Sequence, residues 1–168
     1  MDKKVIIAIV AIVALLVVGG AVAYFMRTPV TRLGDVVPFE TVKKDFHGGV
    51  EAGENVAVTG EAEWTTLWNQ MAANITPKPP VPAIDFSKEM VIGVFLGIKP
   101  TGGYSIEVTR IAESADRITV YVREVSPGPN CRVTEALTNP YHIVKIETSS
   151  KQVDFSVTKD VTECVGNI

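Results

Sequence analysis

The 168-residue chain lacks the residue patterns from which most enzymes are built. It has no G-x-S-x-G nucleophile elbow, no H-E-x-x-H metal motif and no G-x-x-x-x-G-K-[ST] phosphate loop. Its two histidines, His47 and His142, and two cysteines, Cys131 and Cys164, show no metal-ligand spacing. A Cys131 and His142 dyad is the one conceivable nucleophile and base pair, but no orienting or electropositive partner accompanies it. The bland reading of His142 is a strand residue bonded to a neighbouring carbonyl. These absences point away from an enzyme and assign no metal and no cofactor. Positive charge is also scarce. Beyond residues 1–26, which hold Asp2, Lys3 and Lys4, the chain has 14 Lys and Arg against 18 Asp and Glu, a net charge of −4. That balance suits neither nucleic acid nor an anionic membrane surface.

What the sequence does have is a long apolar run. Val5 to Met26 is 22 residues without a charge, and as a helix it spans about 33 Å, enough for a hydrocarbon core of roughly 30 Å. Tyr24, Phe25 and Met26 continue the run up to Arg27, placing aromatic rings at headgroup level with a basic stop behind them. Residues 1–27 therefore read as a retained signal anchor. A secretory signal cleaved after Ala21-Val22-Ala23 is the alternative, which would leave a secreted protein. The Lys and Arg count on either side does not settle orientation; a very short basic N-terminus is the usual form of a signal anchor and places the C-terminal part outside the cytoplasm.

Residues 28–38 carry Pro29, Gly34 and Pro38 without sustained periodicity and read as a linker. Residues 39–168 suffice for one core and are too few for two ordinary domains. Within them, Trp64, Leu67, Trp68 and Met71 fall at i, i+3, i+4 and i+7, the stripe of one amphipathic helix, with Thr59 as a candidate cap and Glu61 and Glu63 favourable in the first turn. Two tryptophans on one face also suit a partner groove, but core packing is the simpler reading. Four prolines between Pro77 and Pro82 exclude a helix or inner strand there and imply a surface crossing. Met90 to Ile98 is apolar enough for a strand buried on both faces. Tyr104 to Thr109 and Ile118 to Arg123 alternate as one hairpin, and His142 to Ile146 with Val153 to Val157 as a second, around a turn at Ser149 to Lys151. Phe39 to Phe46 and Asn55 to Val58 are candidate edge strands. The expected fold is α+β, a single antiparallel sheet of at least five strands with one packed helix.

Two turn segments stand out from this plan, Lys99 to Tyr104 and Ser126 to Ile146. Gly102 and Gly103 supply positive φ for a turn, and their bared backbone beside Tyr104 also suits a docking site. The Pro127 to Pro140 loop exceeds what a hairpin needs, a length that tends to be functional or disordered. In an oxidising compartment Cys131 and Cys164 would pair and pin the C-terminal tail to this loop; in the cytoplasm they would be ordinary thiols.

Five pieces in order, Glu63 to Trp68, Ile84 to Lys88 with Met90 to Val94, Thr101 to Ile106, Thr134 to Thr138 and Pro140 to Val144, resemble the C-terminal domain of the PrcB family, named for a subunit of a surface protease complex. The resemblance implies a membrane-tethered, non-enzymatic subunit outside the cytoplasm that associates with and stabilises a secreted or surface protease, held to the bilayer through residues 5–26. An extracellular module that captures a peptide, envelope polymer or small ligand is the alternative. Because the turn residues carry the resemblance most strongly, Gly102, Gly103 and Tyr104 with Pro140, Tyr141 and His142 are the expected docking face.

Overall fold

The computed structural model describes residues 34–164. Among them no helix is long and apolar enough to cross a membrane; the expected anchor, residues 5–26, lies outside the described residues, as does most of the expected linker. The elements, in chain order, are β1 (Asp35–Val36), β2 (Glu40–Asp45), β3 (Glu54–Val58), α1 (Glu61–Met71), β4 (Glu89–Phe95), β5 (Ser105–Glu113), β6 (Arg117–Pro127), β7 (Tyr141–Glu147) and β8 (Gln152–Thr162).

One small β-rich domain with a single helix results, but the strands divide into two four-stranded sheets, ordered β1-β5-β6-β8 and β2-β7-β4-β3. This corrects the expectation of one sheet. The expected second hairpin is the reason for the difference. The edges of β7 are both occupied, by β2 and by β4, so no edge remains for β8. The chain therefore crosses to the other sheet, where β8 runs parallel to β6 over its whole length, from Arg117 opposite Gln152 to Pro127 opposite Thr162. All other pairings between these strands are antiparallel. Asp35 and Val36, expected in the linker, pair with Glu113 and Ala112 of β5.

Two apolar layers hold the domain. Between the sheets, Met90, Ile92 and Val94 of β4 meet Ile106 and Val108 of β5, Ile118, Val120 and Val122 of β6, and Val144 and Ile146 of β7. On the other face of the second sheet, Val91, Phe95, Tyr141 and Ile143 pack under α1. β4 is thus buried on both faces, as its composition implies. Gly93 makes room for it, since a Cβ there would stand 2.7 Å from the Phe95 ring.

Helix α1 buries the expected stripe of Trp64, Leu67, Trp68 and Met71. Its N-cap is Gly60 rather than Thr59, with no side-chain capping bond. The proline-rich crossing lies against the helix and supplies what the indoles need: Trp64 Nε1 donates to the Pro82 carbonyl at 2.9 Å and Trp68 Nε1 to that of Pro79 at 3.2 Å. Buried indole N–H groups require such partners, so the tryptophan pair is core and not a groove.

Candidate functional site

The Lys99–Tyr104 turn and the Pro127–Pro140 loop come together at one end of the sandwich. Lys99 and Thr138 exchange backbone hydrogen bonds of 2.7 and 3.0 Å, Gly102 N–H donates to Thr134 O at 2.9 Å, and Thr138 Oγ1 donates to Thr101 O at 2.8 Å. The glycines are what let the loop seat. A Cβ on Gly102 would overlap Thr134 Oγ1. Gly103 adopts φ +85°, and a Cβ there would meet Val133 and Pro127 at 2.9 and 3.0 Å. Cys131 and Cys164 stand at disulfide distance, with their Cα atoms 5.0 Å apart, fastening the loop to the end of β8.

The expected docking residues separate into two groups. Gly103 is exposed and Tyr104 is half-buried, whereas Gly102, Pro140, Tyr141 and His142 are buried. Tyr141 stacks on Phe95 with ring centroids 6.0 Å apart, under the helix. Tyr141 and His142 thus offer no surface to a partner, because β7, like β4, has both faces covered. His142 instead ties the sheets together. Val108 N–H, in β5, donates to its Nδ1 at 3.0 Å, and its Nε2 lies 2.9 Å from Thr41 Oγ1 of β2. Since Nδ1 accepts, the ring is the neutral Nε2–H tautomer. Burial pushes its pKa down to about 4, with Lys44 adding to the effect. The backbone group it satisfies lies at a bulge between Val108 and Arg110, where ladder bonding is locally interrupted. The bond is thus to an N–H in the opposite sheet, not to a neighbouring carbonyl. With Cys131 beside Cys164 and both His142 nitrogens engaged, the two do not form a catalytic dyad.

The surface at this end comes from residues that patterning did not single out. Ile98, expected within a buried strand, lies three residues past the end of β4 and is 49% exposed; Leu137 is 70% exposed and Phe46 48%. The bonds that join Lys99 to Thr138 and Asn139 N–H to Phe46 O, 2.7 Å, hold the three segments side by side. Next to them opens a cleft of about 320 Å³, lined by Asn55, Leu96, Lys99, Glu124 and Lys159 among others. A smaller hollow of about 140 Å³ shares Leu96, Lys99, Glu124 and Lys159 and adds Tyr104 and Ser126. Glu124 and Ser126 continue the face of β6 that buries Ile118, Val120 and Val122; the change from apolar to polar on that face marks where the core ends. Lys159 pairs with Glu124 at 3.3 Å, and Lys99 lies 5.9 Å from the centre of the Tyr104 ring. Among the described residues Lys99 has no ion-pair partner, and no group of three His, Cys, Asp or Glu is arranged to hold a metal. The arrangement sets exposed Ile98, Leu137 and Phe46 beside a cleft that Lys99 and Lys159 line together with Glu54 and Glu124, chemistry suited to recognition.

The segment that builds most of this end, from β4 through β7, is similar to the PrcB C-terminal family: residues 90–147 match that family's model. The match includes Ile98, Lys99, Tyr104, Glu124 and Leu137, and excludes α1 and β8. No curated protein and no solved structure matches the chain.

Proposed function

We propose that this chain is a non-enzymatic binding module of a protease complex, anchored in the membrane by residues 5–26 with its domain outside the cytoplasm. The observation that carries the reading is the exposed pair Ile98 and Leu137, on the segment that matches the PrcB C-terminal model, held by backbone hydrogen bonds beside Lys99 and next to exposed Phe46. Large apolar side chains fixed on short bonded loops lose little freedom when a partner covers them, and such clusters are where binding energy concentrates. Neighbouring Lys99 and Tyr104 supply a charge and an amphipathic ring at the rim. The partner expected from the family is a secreted or surface protease.

The test is affinity capture with the full-length chain extracted in detergent. Ile98→Glu with Leu137→Glu should abolish recovery of the protease while leaving the melting temperature within about 1 kcal/mol equivalent, as exposed substitutions usually do. Undiminished capture by that variant would remove the docking face. The anchor is tested separately: the full chain should remain in membranes after alkaline washing, and a soluble form beginning at Tyr24 would show a cleaved signal instead.

A further inference from the structure

The exposed part of the Pro127–Pro140 loop is fixed on both sides of one arginine. On the N-terminal side, Gly128 N–H donates to Thr162 O of β8 at 2.9 Å and Cys131 N–H donates to Gly128 O at 3.1 Å, while the bridge to Cys164 ties Cys131 to the chain just past β8. On the other side, Thr134 O accepts from Gly102 N–H at 2.9 Å, and Val133 sits over Gly103, where a Cβ would stand 2.9 Å from its Cγ1. Between these anchors Cys131 to Thr134 form no helix, turn or bend, and none of them takes positive φ. Cys131 and Val133 are half-buried and Arg132 and Thr134 exposed, the alternation of an extended segment with one side against the domain.

Arg132 is left without a partner. Among the described residues Arg117 and Arg123 form ion pairs and Arg110 lies over the Tyr121 ring, but Arg132 does neither. Two exposed carboxylates are close in the chain, Glu135 in the bend beyond the Thr134 anchor and Glu163 beside Cys164, and neither pairs with it. The backbone N–H and C=O groups of Arg132 and Val133 likewise bond to no other backbone group among the described residues.

From this geometry we infer that the segment enters the active-site cleft of the partner protease as a substrate would, with Arg132 in a specificity pocket that holds a carboxylate, and so restrains the enzyme it binds. The inference rests on the reading of the domain as a module of a protease complex and specifies the partner: an endopeptidase that cleaves after arginine or lysine. Such a cleft takes one side chain into its specificity pocket and bonds the flanking backbone of an extended chain; the free groups of Arg132 and Val133 supply that backbone. A carboxylate in the pocket meets the guanidinium with two parallel hydrogen bonds, whereas an apolar pocket would bury the charge unpaired. Because the segment is already fixed, little freedom is lost on binding.

The same anchors set it apart from an ordinary substrate. Hydrolysis between Arg132 and Val133 adds the hydroxyl of a water to the Arg132 carbonyl carbon and its hydrogen to the Val133 nitrogen. The disulfide then still holds Cys131, and the Gly102 bond still holds Thr134, so the new ends stay opposite each other. Rejoining, which returns that water, proceeds at the high effective concentration of groups held in place and competes with escape.

Two probe proteases test this on the full chain in detergent micelles: trypsin, whose pocket carries a carboxylate, and chymotrypsin, whose pocket is an apolar slot. The chain should inhibit hydrolysis of a small arginine substrate by trypsin and leave chymotrypsin untouched. Arg132→Glu should weaken the inhibition about a hundredfold, as loss of a central arginine does, without lowering the melting temperature, and Arg132→Leu should transfer it to chymotrypsin. Cys164→Ser, which frees one end, should turn the chain into a substrate cut between Arg132 and Val133. Trypsin left uninhibited, inhibition that survives Arg132→Glu, or undiminished inhibition by Cys164→Ser each overturns the proposal, as does rapid, permanent cutting of the native chain at that bond, which assigns the loop as a processing site. If Ile98→Glu with Leu137→Glu abolishes protease capture while Arg132→Glu leaves it intact, the binding function stands and only its substrate-like mode fails.

Discussion

Lowering the pH from 8 to 5 should destabilise this domain through His142, and the size of the effect follows from its position. In the folded chain the ring is neutral, accepts from Val108 N–H and has a pKa near 4; unfolded, it returns to the ordinary 6.5. Between these values the unfolded chain binds the extra proton, so stability rises with pH and is lost as pH falls from 6.5 towards 4. The full interval is worth about 3 kcal/mol at 1.36 kcal/mol per pH unit, of which about 2 kcal/mol is lost by pH 5. For a domain of this size that is a fall in melting temperature of about 8 °C. Glu107, held below its usual range by its bond with Lys44, loses its contribution only below about pH 4.5, outside this window. Thermal melts from pH 8 to 4.5 read the effect directly. His142→Gln retains an oxygen to accept from Val108 and an amide to donate to Thr41, and should flatten the profile above pH 5. His142→Ala should cost about 2–4 kcal/mol even at pH 8, since it orphans a buried N–H and opens a cavity. A slope in His142→Gln equal to that of the native chain would refute the assignment of the acid sensitivity to this ring.

Two further outcomes follow from the interior. Tyr141 is fully buried with no partner for its hydroxyl among the described residues, so Tyr141→Phe should leave stability unchanged or raise it by about 1 kcal/mol. Its pKa is pushed up to about 12 by burial, with Asp45 adding to it, so the same variant should also lose part of the instability that sets in between pH 10 and 12, where the unfolded chain gives up a proton that the folded one keeps. Cys131 and Cys164 should resist thiol labelling until reductant is added, and reduction should cost about 3 to 4 kcal/mol from release of the 33-residue loop, measured by denaturant unfolding with and without reductant.

The features legible in the sequence are those governed by short-range chemistry. The Trp64 to Met71 stripe implies a buried helix face because side chains three and four apart share a side, whatever lies opposite. Continuous apolarity made β4 a strand covered on both faces, and the glycine pair at 102 and 103 marked a turn, in which Gly103 alone takes positive φ. The PrcB resemblance lay in the order of its pieces, of which those from Met90 to Val144 fall within the matched residues. Partnership between distant segments was decided only in three dimensions. Alternation shows that Val153 to Val157 is a strand but carries no information about which edge is vacant, and β8 crosses to the first sheet because β2 and β4 already flank β7. The same choice buried Tyr141 and His142, which lie in a conspicuous sequence segment but on a strand covered from both sides. It brought Ile98, Lys99 and Leu137 to the surface through backbone bonds that no side-chain pattern records. Local periodicity sets which way a residue can face; the competition among strands for edges sets what it faces.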